Sequence, residues 1–365
     1  MPRLASPVAV VLTIAALVLR AGPGLPAAED NPAVAAAQAR QASVRTADIE
    51  FRLTEVIPRG AISEKALGKR QSKNGAPFPA EETTIQSVNR LVIDGLRGRY
   101  EDNHPLLDYY PKRLVNKRSV SVTNGAMAKV FYPDGMGRDT TPFGSILNDA
   151  RTRFIKSSVL APITMTFRGL DRAMAPHSLA NFTPSGTTLT IHGSPCEEFA
   201  LQLPRRLVVR YWLDATRGYV VRRVRTQQQG RLLEQQDIEY RRHERWGWVP
   251  ASWVATKYLP SGAVAQTLSV EVLSLRLNEP QPAERFEIQF PAGLRVEDQR
   301  TFRIYRVQPD GSLREDFPAG EEAPAVVDQW VVWSLASVVV VLGILAVGYL
   351  NRRNRTPSSG VIRRG

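Results

Sequence analysis

The chain has 365 residues, 43% of them hydrophobic and 23% charged, and its 48 Lys and Arg against 35 Asp and Glu leave a formal charge of +13. This is a globular composition with a basic excess, and the single cysteine, Cys196, excludes an internal disulfide framework and a cysteine-based zinc site. The basic excess suits solubility and weak attraction to anionic lipid.

The N-terminus has a three-part layout: a basic start at Arg3, an apolar run over residues 8–19, and Gly, Pro and small residues up to Ala28. That is the layout of a secretory signal, expected over residues 1–28, and the apolar run is shorter than the ~20 residues a spanning helix needs. The Ala- and Gln-rich stretch 29–43 reads as a helix. From Asp48 to Val56 the pattern alternates, with Ile49, Phe51 and Leu53 on one side and Glu50, Arg52 and Thr54 on the other, as a half-buried strand requires. Residues 57–82, rich in Pro, Gly and Lys, read as a polar loop or lid.

Two hairpins follow, one turning at Asp94-Gly95 and one at Asn124-Gly125, because both dipeptides supply the positive φ of tight turns. After Pro142 the pattern changes: Ile146, Leu147, Ala150, Phe154 and Ile155 recur at helical spacing, and an amphipathic helix is expected there. From Thr187 onward the chain reads as strand after strand. Leu207, Val209, Tyr211 and Leu213 share a face, residues 214–218 reverse the chain, and residues 219–225 return. A Gln-rich turn, strands around Ile238 and over 252–259, and a long strand over 263–278 follow. In that last strand Val264, Leu268, Val270 and Val272 are even while Leu273, Leu275 and Leu277 are odd, and such a change of phase implies a β-bulge and a strongly curved sheet. Phe286, Ile288 and Phe290 alternate again, and residues 301–307 make a final strand.

Residues 318–325 read as a linker into a transmembrane helix over 326–350, whose stretch from Trp330 to Leu350 carries no charge. At a rise of ~1.5 Å per residue that stretch spans roughly 30 Å, the thickness of a hydrocarbon core. The tail, 351–365, has five arginines and no acid, so the positive-inside asymmetry places it in the cytoplasm and the large N-terminal part outside. Nucleic acid is excluded as a partner there.

No motif for catalysis or for a cofactor emerges. His104, His177, His192 and His243 are scattered, with no pair at a metal-ligand spacing, and neither a G-x-S-x-G elbow, a P-loop nor a dinucleotide fingerprint is present. No metal, no cofactor and no enzymatic activity are expected. Cys196 reads as a small buried side chain. The aromatic cluster of Tyr211, Trp212, Tyr219, Trp246, Trp248 and Trp253 is more telling: on the concave face of a curved sheet these residues either line an apolar cavity or make an ordinary packed core.

The order of elements, with YWLDATRGYVVRRV at 211–224, GWVPASW at 247–253, LNEP at 277–280 and FEIQFPAGLRVED at 286–298, resembles the LolA-like family of outer-membrane lipoprotein-sorting and carrier proteins. The resemblance covers about residues 33–308 and implies a mainly β domain, over 33–317, made of a single curved antiparallel sheet or unclosed barrel under a helical lid. It implies lipid or lipoprotein acyl chains as ligands, held by Trp212, Trp246, Trp248, Trp253, Tyr211 and Tyr219, with Ile146, Leu147, Ala150, Phe154 and Ile155 as the lid. With the C-terminal span added, the expected protein is a non-enzymatic, single-pass protein of the bacterial inner membrane that sorts or hands over lipoproteins. The alternative is an envelope-stress sensor resembling the RseB/MucB regulators, which contacts another membrane protein.

Overall fold

The computed structural model describes residues 31–62, 78–108, 113–115, 117–124, 127–135, 140–147, 159–167 and 179–316. The expected signal at 1–28, most of the 57–82 loop, His177, the span at 326–350 and the basic tail lie outside the described residues. The chain divides into two units, Met1–Leu313 and Arg314–Gly365, and the fold is that of the first.

The expected N-terminal helix is present as α1 (Pro32–Ser43), started by Asn31, whose side chain accepts from the Ala33 amide, and by Pro32 in the first turn. The strands are β1 (Thr46–Ile57), β2 (Thr83–Asp94), β3 (Arg97–Asp102), β4 (Leu106–Asp108), β5 (Arg113–Val115), β6 (Ser119–Thr123), β7 (Ala128–Tyr132) and β8 (Phe143–Leu147). After a second helix, α2 (Ala161–Phe167), come β9 (Thr183–Ile191), β10 (Ser194–Leu203), β11 (Leu207–Asp214), β12 (Val220–Gln228), β13 (Arg231–His243), β14 (Gly247–Tyr258) and β15 (Val264–Leu277). The pair β16 (Arg295–Asp298) and β17 (Arg303–Val307) follows. Apart from the small β4–β5 pair, these strands form one sheet in the order β17-β16-β8-β7-β6-β3-β2-β1-β15-β14-β13-β12-β11-β10-β9. Its two ends do not pair with each other, so the sheet is unclosed. Every pairing is antiparallel except that of β16 with β8.

Sequence pattern sets the faces. In β1 Ile49, Phe51 and Leu53 are buried while Glu50 and Arg52 are exposed, as period-2 alternation demands. The expected bulge is present in β15: Glu50 faces Ser274 and the next residue, Phe51, faces Val272, so Leu273 is the extra residue. That is where the hydrophobic phase changes. Further register shifts between β9 and β10 and along β11–β12–β13–β14 add to the bend. The first hairpin turns one residue later than expected, at Gly95-Leu96, because Asp94 pairs with Arg97 and Gly95 supplies the positive φ of +54°.

The curved sheet wraps its core. Ile49, Phe51 and Leu53 from β1 join Leu91 and Ile93 from β2, Trp253 from β14 and Val270 from β15, although β1 and β14 are separated by a whole strand. Phe51 lies between Tyr100 of β3, at 6.4 Å between ring centroids, and Trp253, at 6.5 Å. Helix α2 inserts Ile163 and Phe167 into this core from the concave side, with Leu160 just before it.

One expectation is overturned here. Ile146 and Leu147 belong to strand β8, not to an amphipathic helix, and Ala150, Phe154 and Ile155 lie outside the described residues. The reason is that β8 pairs with β7 on one side and β16 on the other while Gly144, Ser145 and Ile146 are all buried. A strand buried on both faces reads as a run of apolar and small residues, and periodicity cannot separate that from a buried helix. The segment 286–290 also differs: Phe286 and Ile288 are buried as the alternation requires, but Phe286 closes a 3-10 turn (Ala283–Phe286) and Ile288 follows it outside the sheet.

Candidate ligand-binding site

Between α1, α2 and the concave side of β11–β13 lies a cavity of about 110 Å³. Its walls include Val34 and Ala37 of α1, Met165 of α2, Leu179, Tyr211 and Leu213 of β11, Tyr219, Val221 and Tyr240. Phe182 stacks on Tyr211 with ring centroids 4.3 Å apart and fixes that wall. Arg40, Gln38 and Gln41 supply the polar part of the lining. Helix α1 is tied across the cavity by two side-chain bonds, Arg40 Nη2 donating to the Gly218 carbonyl at 3.1 Å and Gln41 Nε2 donating to the Met165 carbonyl at 3.2 Å.

The ionisable groups of the lining are held in one state. Burial pushes the Tyr211 phenol well above its ordinary range, and burial raises Tyr240 too, against smaller opposing effects from Arg40, Thr166 and Arg222. Both stay neutral, and the Tyr240 hydroxyl donates to the Val221 carbonyl at 3.1 Å. Burial lowers the pKa of Arg40, with Tyr240 acting the other way.

Of the aromatic residues singled out from sequence, only Tyr211 and Tyr219 line this cavity. Trp253 is 1% exposed and is a core residue packed on Phe51. Trp212 is buried with Ile191 and Cys196, apart from its neighbour Tyr211, because adjacent residues of a strand point to opposite faces. Trp246 and Trp248 pack partly buried against the edge of the core, under the guanidinium groups of Arg245 at 4.7 Å and Arg217 at 4.6 Å. Cys196 is buried, and burial raises its pKa most, with Asp214 adding to the effect.

The structure also brings together residues that no sequence spacing connects. His104 Nε2 faces the buried Glu55 carboxylate, and His104 Nδ1 lies 3.0 Å from Ser87 Oγ. Asn89 Nδ2 donates to the same Ser87 oxygen at 3.0 Å, and Asn89 Oδ1 accepts from the Asn103 amide at 2.7 Å. Gln266 of β15 donates to the other Glu55 oxygen. The order carboxylate, imidazole, hydroxyl is that of a triad in which the carboxylate orients the imidazole beside the hydroxyl. Of the other described histidines, His192 pairs with Glu239 at 3.1 Å and His243 accepts from the Arg245 amide at 3.2 Å. Among the described residues no group of three His, Cys, Asp or Glu is placed to hold a metal ion, and no helix is long and apolar enough to cross a membrane.

No family model and no curated sequence matches the chain. Among solved structures, a domain described as an outer membrane lipoprotein-sorting protein, from Vibrio parahaemolyticus, has a TM-score of 0.41 at 11% identity, covering 71% of this chain and 97% of that one. A LolA superfamily protein from Nitrosomonas europaea has a TM-score of 0.38 at 11% identity, covering 70% of this chain and 97% of its own. A DUF1329 family protein from Desulfovibrio piger has a TM-score of 0.37 at 8% identity, over 70% of this chain and 95% of that one. Each is a loose likeness of fold.

Proposed function

We propose that this protein is a membrane-anchored binding protein that holds part of an acyl chain, from a lipid or lipoprotein, between α1 and the concave face of β11–β13. The observation that carries the proposal is the apolar, aromatic-walled cavity beneath α1, a helix with only Ala33 and Val34 buried. At about 110 Å³ the cavity is smaller than the ~300–1,000 Å³ of pockets that enclose a drug-sized ligand. It takes a short stretch of chain as it stands. Burying four methylenes there contributes about 3 kcal/mol at ~0.8 kcal/mol each, so tighter binding requires α1 to move outward. A helix of 12 residues is marginal by itself, and over the cavity α1 is tied down by the side chains of Arg40 and Gln41. That makes this stretch the one able to yield while Ala33, Val34 and Ser43 stay packed or bonded at its ends. The anchor in this proposal is the uncharged stretch 330–350, with the N-terminal unit on the outer face of the inner membrane of a bacterium.

The full chain in lipid nanodiscs, exposed to a photoreactive fatty acid, tests this. Crosslinks should fall on cavity residues such as Met165 and Tyr219. Ala37→Trp, which places an indole in the cavity, should reduce them about tenfold with unchanged far-ultraviolet circular dichroism. Crosslinks that fall elsewhere, or that ignore Ala37→Trp, overturn the proposal and favour a sensor without a lipid ligand. A second reading rests on the Glu55–His104–Ser87 triad, which could activate Ser87 for ester hydrolysis. Labelling of Ser87 by a fluorophosphonate, lost in His104→Gln, is the result that would put an esterase in first place.

A further inference from the structure

The strand pairings place several turns at one end of the sheet. Thr46 pairs with Asp94, Asp94 with Arg97 and Gly98 with Thr123. Ala128 pairs with Leu147, and β16 runs parallel to β8 and returns through β17. The turn at Gly95-Leu96, the end of β6 and the turn between β16 and β17 therefore share that end. Following β1 through β15 and β14 to β13, the turn between β13 and β14 belongs there as well.

Two of these turns expose large apolar side chains. Phe302, between β16 and β17, is 80% exposed, and Leu96, between β2 and β3, is 55% exposed. Phe302 also has a φ of +55°, a region that bulky side chains seldom occupy, so the tip shows its ring to solvent at a conformational disadvantage. Along the sheet the two tips are five strand spacings apart, about 24 Å.

Charge at this end is divided by depth. Asp94 is buried and paired with Arg97 and, at 3.8 Å, with Arg45, whose side chain is nonetheless 85% exposed; Asp298 is buried and paired with Arg300, and Arg245, Arg300 and Arg303 are exposed too. Glu244, Glu279 and, in the turn packed against Arg97, Glu284 are exposed acids near them. The surface is thus basic outermost, with apolar tips projecting through it, and this is the chemistry of an anionic lipid interface: rings and aliphatic groups enter the acyl boundary while guanidinium groups meet phosphates. The turn carrying Tyr219 of the cavity lies at the same end, since Asp214 pairs with Val220 and β12 runs antiparallel to β13.

We propose that this end of the sheet docks on an anionic phospholipid surface, with Phe302 and Leu96 entering the interface and Arg45, Arg245 and Arg303 contacting headgroup phosphates. Docking is read at Phe302 and stands or falls independently of any ligand in the cavity. The test uses the full chain in nanodiscs with a bimane label on Phe302→Cys. The native Cys196 is buried and does not compete for the label. Lipids carrying a spin label near the headgroup act as quenchers. In discs containing phosphatidylglycerol the label at 302 should be quenched at least about twofold more than one on Val264→Cys, which lies at the opposite end of β15. The triple replacement of Arg45, Arg245 and Arg303 by Gln should remove that difference. Pure phosphatidylcholine discs should show less of it. Equal quenching at 302 and 264, or quenching at 302 that ignores both lipid charge and the Gln replacements, overturns the proposal.

Discussion

Asp48 is the residue on which most charge converges. It is 2% exposed and receives two bonds from Arg90, at 2.8 and 2.7 Å, one from Arg276 at 2.6 Å and one from Arg285 at 3.2 Å. Burial alone would raise its pKa, but the Arg90 hydrogen bond and charge, followed by Arg285 and Arg276, outweigh it and hold the carboxyl below its usual range. A depressed folded-state pKa stabilises the fold above the unfolded value of ~3.9, and that contribution disappears as pH falls from there through the folded pKa. Asp48→Asn should therefore destabilise the domain by about 3 kcal/mol at neutral pH, because it leaves guanidinium groups of β2, β15 and the 283–286 turn uncompensated. Urea unfolding at neutral pH and below pH ~4 checks this, and the gap between variant and wild type should narrow at the acid end. Nothing in the sequence marks Asp48, since its partners lie 42, 228 and 237 residues away. The same holds for the Glu55–His104 contact, which spans 49 residues. Cys196 was legible, because a lone cysteine with no partner thiol or metal-ligand spacing is most often a small buried side chain.

Among the elements, those with a clean period were legible and those covered on both sides were not. The bulge at Leu273 could be located to the residue because a change of parity in a half-buried strand has no other simple cause. Helix α2 escaped notice because Thr164, Thr166 and Ile163 are poor helix formers, although Leu160, Ile163 and Phe167 have helical spacing. It is kept helical by what it covers, and Thr166 Oγ1 donates back to the Pro162 carbonyl at 2.7 Å. Strand β8 was misread for the opposite reason, its burial on both sides. Gly144 measures how tightly: a Cβ there would lie 2.9 Å from Phe290 Cε1, 2.9 Å from Val296 Cγ2 and 3.2 Å from Leu294 Cδ2. Val296 and Leu294 are buried and cannot swing away. Gly144→Ala should cost about 1–3 kcal/mol and loosen β16–β17 first. Hydrogen exchange should show faster amides in 294–307 while β1 and β15 keep their protection.

At the scale of the whole molecule the decisive quantity is the distribution of charge along the chain. Among the described residues, Trp253 serves the core, Trp246 and Trp248 its edge and Trp212 a separate cluster, while a cavity lies beneath α1. Strand periodicity already places Tyr211 with Leu207, Val209 and Leu213 and so opposite Trp212; what the sequence could not supply is which of the two faces borders the cavity. Orientation in a membrane is a separate question and rests on simpler physics. The uncharged stretch from Trp330 to Leu350 is flanked by Glu321, Glu322 and Asp328 on one side and by Arg352, Arg353 and Arg355 on the other. Arginine near a span resists translocation far more than acids promote it, so the short tail should remain in the cytoplasm and the β unit should cross. In a bacterial host, alkaline phosphatase fused after Glu321 should be active and a fluorescent protein fused after Gly365 should fluoresce. Moving the tail arginines ahead of the span, by replacing Arg352, Arg353 and Arg355 with Asn and residues 321–323 with Arg, should reverse both reporters. If the wild-type chain already gave the reversed pattern, the cavity and the basic end of the sheet would face the cytoplasm, and an envelope lipid could not be the ligand of either.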